Sequence, residues 1–345
     1  MATGNRLVAN KGKSFQGSNV LGKGFILTPE QADDLIQRDP RNKDVLFPYL
    51  NGEDLNSRPD CSASRWVINF HDWSEERARS YPDVFAIVER DVKPERLKNN
   101  RKVYRDYWWQ YAEKRPAMIK SIKGLDCVLV VALVSRTVMP ARVPSQQVLS
   151  HKLGVFATAE DGDLTLLSSS FHSIWAWRNS STMKADLNYS PSDVYETLPW
   201  PESIVELTTA GQALENVRRP IMENRQLGLT KLYNLIHDET VTDSGVLELR
   251  NLHREIDQEV AGAYGWDDLN LNHGFHPTRQ GIRYTVDPVM QIEILDRLLE
   301  LNHDQRSLEL GNITSNVEDR GKLESRNKGS ARSSDILTPV DNFLF

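Results

Sequence analysis

The sequence predicts an α+β protein: a mixed α/β domain, then a mostly α-helical region, then a disordered tail. Three observations carry that prediction. The run over 127–134 is rich in β-branched residues and sits among other short strand-like segments. From 202 to about 301 apolar residues recur at helical spacing. After Gly311 the chain is polar and rich in Ser, Asn, Gly and charge, a composition that cannot bury a core. With 345 residues and roughly 150 per domain, about two domains are expected. The expected parts are an N-terminal loop and first helix over 1–39, the mixed domain over 40–200, a helical domain over 201–310 and the tail over 311–345.

Residues 1–27 are rich in Gly and Lys and read as loop followed by a short strand over 24–27. Thr28-Pro29-Glu30 starts a helix, with Thr as N-cap, Pro at the first helical position and acid next, running to about Arg38. The apolar run 46–50 is expected to end in an Asn51-Gly52 turn. The stretch 65–70 alternates and reads as a strand. A helix is expected from Ser74 or Tyr81-Pro82, broken at Pro94 and continuing to about Glu113. Strands are expected at 127–134, 137–143, 153–157 and 164–169, then an amphipathic stretch over 170–177 and a Pro-punctuated segment over 190–201. Helical spacing covers 202–226, 229–237, 245–264 and 287–301, with Thr230 as a candidate cap and Gly265 at a C′ position.

Several function classes are excluded. No apolar run reaches the ~18 residues of a membrane span, and the first residues lack the apolar core of a signal peptide. Two cysteines, Cys61 and Cys127, make neither a disulfide framework nor a zinc site, and the simplest reading is a reducing cytoplasm. The eight histidines include no His-x-x-x-His, and no Gly-x-Ser-x-Gly elbow occurs. Residues 17–24 nearly spell a P-loop, but Gly24 stands where the Mg²⁺-binding hydroxyl belongs and no apolar strand precedes it. A loop that shapes the chain before Phe25 is the better reading. Asp83 with Asp91-Val92-Lys93 loosely matches an acid-x-Lys nuclease core, but the stretch is helical in pattern and reads as a solvated face.

Charge is unevenly distributed. The chain carries a net −6, yet residues 90–123 hold 11 basic and 4 acidic residues, while 201–310 are net −9. A local basic cluster attracts polyanions, because each neutralised phosphate releases condensed counterions. Lys93, Arg96, Lys98, Arg101, Lys102 and Arg105 lead into Trp108 and Trp109, and Lys114 and Arg115 close the segment. Cations position a phosphate backbone and aromatic rings stack on or wedge beside bases. The competing reading makes Trp108, Trp109 and Tyr111 core residues beneath a basic helix; adjacent Trp side chains cannot face the same way. A second candidate, 168–178, offers hydroxyls with His172, Trp175 and Arg178 at a helix start suited to phosphate, or else an N-cap over a Trp core.

The stretches FQGSNVLGKGFIL (15–27), FPYLNGEDLNSRPDCSASRWVINF (47–70), YRDYWWQYAEKR (104–115), SSSFHSIWAW (168–177), YSPSDVYETLPWP (189–201), LTKLYNLIH (229–237) and 249–271, with AYGWDDLNL inside it, carry a resemblance. In this order, over roughly 15–305, the sequence resembles the C-terminal half of bacterial adenine-specific DNA methyltransferases of the type II (IIG/IIL) restriction–modification kind. The resemblance implies a DNA target-recognition domain over 40–200 followed by helices. It implies double-stranded DNA and a methyltransferase catalytic domain or subunit as partners. In the family a Rossmann-like domain binds S-adenosylmethionine and carries an Asn-Pro-Pro-Tyr-type motif that clamps the flipped adenine. This sequence contains neither that motif nor a glycine-rich cofactor loop after a strand. It is therefore expected to bind no cofactor itself, with S-adenosylmethionine on a missing catalytic domain, and to be a detached fragment or a separately encoded recognition subunit. The rival expectation is a protein-interaction scaffold without DNA binding, favoured by the acidic 201–310 half. A complete enzyme with an unrecognised site is the third.

Overall fold

The computed structural model describes residues 4–330, with side chains from 4 to 311. The fold is α+β. The expected tail over 311–345 lies almost wholly outside the residues described with side chains.

The chain opens with β1 (Ser14–Gln16) and reaches β2 (Ile26–Leu27) through the glycine loop. That loop is a packing device. The Gly17 N–H donates to Leu153 O at 3.0 Å, Ser18 N–H donates to Leu149 O at 2.8 Å, and Phe25 is fully buried. A Cβ on Gly17 would stand 2.2 Å from Ser150 O and 2.5 Å from Leu149 O, and both are backbone. Gly17→Ala is therefore expected to cost about 3 kcal/mol, the overpacking range, read as a lower denaturant midpoint; an unchanged midpoint would contradict this packing.

Helix α1 (Pro29–Arg38) starts in a full capping box: Thr28 Oγ1 accepts from Gln31 N–H, and Gln31 Oε1 accepts from Thr28 N–H. Then come β3 (Leu46–Leu50), α2 (Gly52–Ser57) and β4 (Arg65–Ile68). Asn51 does not turn the chain as expected. Its Oδ1 accepts from Glu53 N–H at 2.8 Å and Asp54 N–H at 3.1 Å and so caps α2.

The helix expected to run to about Glu113 is four short ones: α3 (Glu75–Arg79), α4 (Pro82–Asp91), α5 (Lys93–Leu97) and α6 (Lys102–Asp106). Pro82 and Pro94 sit in the first turns of α4 and α5, where a missing N–H is harmless and a preceding helix must stop. Residues from Tyr107 to α7 (Pro116–Ile122) are not helical.

The middle of the chain supplies β5 (Cys127–Ala132), β6 (Val134–Ser135), β7 (Ala141–Pro144), β8 (Val148–Leu149) and β9 (Leu153–Phe156). Two four-stranded sheets result, in orders β1-β9-β5-β7 and β2-β4-β3-β8. Strand β5 pairs antiparallel with both β7 and β9 and is buried along its length after Cys127, as its β-branched run predicts. Strand β3 is antiparallel to β4 and parallel to β8.

The strand expected at 164–169 is instead helix α8 (Asp161–Ser168). Its short apolar run fits either element. Acidic residues Asp161 and Asp163 open it, and Leu164, Leu166 and Leu167 are all fully buried. Helix α9 (Ser170–Asn179) follows, then β10 (Ser181–Met183) and β11 (Asp186–Asn188), which with β6 form a small antiparallel sheet, and α10 (Pro191–Val194).

Three expected helices then appear as α11 (Thr208–Arg225), α12 (Leu229–Ile236) and α13 (Ser244–Ala263). The N-cap of α12 is Gly228 rather than Thr230, because Leu229 is already inside the helix and fully buried. Gly265, at φ 71°, takes the left-handed position just past α13, as its spacing predicts. Arg250 of α13 donates to the carbonyls of Leu235, Ile236, Asp238 and Val241 and so closes the C-terminal end of α12. The sequence reading missed the hairpin of β12 (Gly274–Thr278) and β13 (Gly281–Thr285), which precedes α14 (Pro288–Ser330).

Two hydrophobic clusters hold these elements. The smaller gathers α1, α4, the β2-β4-β3-β8 sheet and Trp108, Trp109 and Tyr111. The larger joins residues from Leu50 to Leu298, among them β5, β9, α8, α11 and α13, so the helices after 200 share one core with the strands before it.

Candidate nucleic-acid interface

The basic segment lies on the smaller cluster, and its side chains divide between inside and outside. Arg96 is 2% exposed; its Nη2 donates to Val20 O at 2.9 Å and to Gln110 O at 3.1 Å, and burial lowers its pKa. It ties the glycine loop to the 107–111 segment. Trp108 and Trp109 are 4% and 6% exposed. Trp109 Nε1 donates to Trp73 O at 2.9 Å, Gln110 Nε2 donates to the same carbonyl at 2.8 Å, and Trp108 packs edge-on against Phe85. Adjacent Trp residues both end up inside because the backbone here is not regular: Tyr107 has φ −115° and ψ 48°. Arg96, Trp108 and Trp109 are thus corrected from expected contacts to interior supports, since buried, internally bonded groups present no surface.

Outside that core stand the remaining cations. Lys98 and Arg101 are exposed around the turn between α5 and α6, and Lys102 is 77% exposed. Arg101 Nη1 donates to the Tyr104 hydroxyl at 2.7 Å, and Lys102 pairs with Asp106 one turn on. Lys93 pairs with Glu89 at 2.8 Å and lies over the Trp108 ring. Exposed ion pairs of this kind contribute only about 0–1 kcal/mol, so exchanging a carboxylate for a phosphate costs little. Arg105 is held by the carbonyls of Asn99 and Asn100, which orders that turn. Lys114 bridges Asp72 and Gln110, and Arg115, in a left-handed backbone conformation, reaches Gly17 O and Gln16. Burial separates an outer group, Lys98, Arg101 and Lys102, from cations that serve the fold.

The second candidate stretch is α9. His172 is fully buried; its Nδ1 meets Leu167 O at 2.6 Å and its Nε2 the Tyr189 hydroxyl at 2.9 Å. A carbonyl only accepts, so Nδ1 carries the proton and Nε2 accepts from Tyr189. Burial pushes the His172 pKa down to about 4. Trp175 is also fully buried, its Nε1 donating to Thr197 Oγ1 at 3.0 Å. These two are likewise corrected to core residues. Arg178 is half-buried and lines a cleft of about 900 Å³ between α9, β10, α12, α13 and the β12–β13 hairpin. The sequence reading missed that cleft. Its further cations, Arg136, Arg279 and Arg283, come from segments without local charge clustering, and only the chain's folding brings them together.

Among the described residues no group of three or more His, Cys, Asp or Glu side chains is placed to hold a metal ion. Among them, too, no helix is long and apolar enough to cross a membrane.

The model of the MmeI target recognition domain matches residues 5–202. The chain belongs to this family of target recognition domains. The family resemblance read from the residues is borne out, and the matched region takes in both four-stranded sheets and the basic segment. Among solved structures, the type IIL restriction-modification enzyme MmeI in complex with DNA superposes with a TM-score of 0.61 at 19% identity. The match covers 86% of this target recognition chain and 36% of that one, and at this identity it shows the fold. The type IIG restriction endonuclease BpuSI gives a TM-score of 0.35 at 14% identity over 77% of this chain and 31% of that one. The chain thus spans about a third of the length of these solved relatives. No curated protein matches it.

Proposed function

We propose that this chain is the DNA-reading part of a restriction–modification system, gripping duplex DNA so that a methyltransferase catalytic domain or subunit can methylate an adenine at N6. The observation that carries the reading is the family match over 5–202, which includes every cation of the outer group. The exposed Lys98, Arg101 and Lys102 meet the phosphate backbone, and their order comes from Arg96 and Arg105, which fix the turn that bears them. The helices after 200 are suited to hold the catalytic part, because the net negative charge of 201–310 disfavours a duplex there. S-adenosylmethionine is bound by that catalytic part, and the system works in the cytoplasm.

The test is a titration of the purified chain with duplex DNA at several salt concentrations. Binding at low salt that weakens steeply as salt rises is expected. Adding the methyltransferase partner is then expected to produce N6-methyladenine. No binding at low salt, with or without the partner, would overturn the reading and favour a scaffold that only binds protein.

A further inference from the structure

The cleft that Arg178 lines has a chemistry unlike the rest of this acidic chain. Among the described residues four arginines line it: Arg136 just past β6, Arg178 on α9, and Arg279 and Arg283 on the hairpin. Among the described residues its one acidic lining residue, Asp257, is already engaged, since Oδ2 meets His273 Nε2 at 2.7 Å and Oδ1 accepts from Ser170 N–H at 2.6 Å. Asp186, beside the cleft, lies 3.4 Å from Arg136.

Buried polar atoms are almost always hydrogen-bonded. Among the described residues nine buried side-chain N or O atoms have no partner, and four of the nine belong to residues lining this cleft: Ser168 Oγ, Ser180 Oγ, His237 Nδ1 and Arg283 Nε. Burial and the nearby Arg136 both disfavour the charged form of Arg283. Like charges drawn together in this way, with Asp257 already engaged, favour an anion between them. The cleft also has a ring-binding side, with Trp177, Tyr284, Ile174 and Ile292. Its size lies in the range of small-ligand sites, roughly 300–1,000 Å³, ample for one base, sugar and phosphate. A sulfonium cation such as S-adenosylmethionine is disfavoured by the four guanidinium groups.

We propose that this cleft, between the recognition domain and the C-terminal hairpin, binds a nucleotide: the phosphate on Arg136 and Arg283, the base against Trp177 and Tyr284. The nucleotide is either free or an unpaired terminal nucleotide of a strand. The site is separate from the outer cations of α5 and α6 and does not depend on their role.

The experiment is calorimetric titration of the whole chain with adenosine 5′-monophosphate, adenosine, inorganic phosphate and a 5′-phosphorylated single-stranded DNA trinucleotide. Saturable binding of the monophosphate is expected, at least about tenfold tighter than adenosine or inorganic phosphate alone. Arg136→Gln with Arg283→Gln is expected to weaken it at least about tenfold while leaving the affinity for duplex DNA unchanged. If that double variant fails to fold, Arg136→Gln alone, at a largely exposed position, carries the same test with a smaller effect. Tighter binding of the trinucleotide than of the monophosphate assigns the site to a nucleic-acid end, and the reverse to a free nucleotide. No saturable binding of either by about 1 mM, or full affinity in a folded variant, overturns the proposal. Loss of duplex binding on replacing Lys98, Arg101 and Lys102 bears on the DNA-reading function alone.

Discussion

Replacing Lys98, Arg101 and Lys102 together by Ala is expected to reduce the slope of log Kobs against log salt by nearly 3 units on duplex DNA. Each phosphate contact contributes about 0.9 to that slope. These are the cations of the segment with open surface and no backbone duty, whereas Arg96 and Arg105 hold carbonyls of the fold. Lys102 gives up only an exposed partner, Asp106, and Arg101 only a tyrosine hydroxyl. The triple variant is therefore expected to keep its denaturation midpoint, since surface changes of this kind stay within about 0.5 kcal/mol per site. Arg96→Ala is the contrast: it removes two carbonyl contacts from the interior and is expected to lower stability before it touches DNA. A salt slope unchanged in the folded triple variant would remove α5 and α6 from the interface.

What the sequence made legible, and what it hid, follows from the range of the interactions involved. Strand β5 and helix α1 were readable because their causes are local: a β-branched run in one, a capping box with Pro at the first position in the other. The charge excess of 90–123 was readable as well, being a property of composition. Which of its cations face solvent was not. Arg96 and Lys98 are two residues apart, and one is buried because Val20 and Gln110 bring their carbonyls to it from distant parts of the chain. Likewise, His172 and Trp175 had the composition of a phosphate site, but Tyr189 and Thr197 enclose them. The hairpin escaped notice because its strands are only half-buried and mix polar with apolar residues, so neither period dominates. The Arg-lined cleft was hidden for the same reason as Arg96: its walls meet only when α9 packs beside the hairpin and α14.

Acid is expected to unfold the protein well above the usual carboxylate range, and buried histidines are the cause. His172 and His253 are held down to about 4, and His237 to about 3, chiefly by burial. The unfolded chain protonates such groups near pH 6.5. Below that value the unfolded state binds the proton that the native state refuses, so stability falls with pH and keeps falling until the folded pKa is reached. For His172 the full loss, between pH 6.5 and about 4, amounts to about 3 kcal/mol at 1.36 kcal/mol per unit. At pH 5 the three together withdraw about 6 kcal/mol, comparable to the whole stability of many domains. Asp163 and Glu259 work in the opposite sense, because burial raises their pKa values, and they are two groups against three. Urea unfolding at pH 7, 6 and 5 checks this directly. His172→Asn keeps a donor near the Leu167 carbonyl but cannot take up a proton, so its curve should be shallower by about 1.4 kcal/mol per pH unit between 6 and 5. Equal slopes in the two proteins would mean that His172 opens to water or finds an anion when protonated, and the sealed pocket formed by Leu167 and Tyr189 would not describe it in solution.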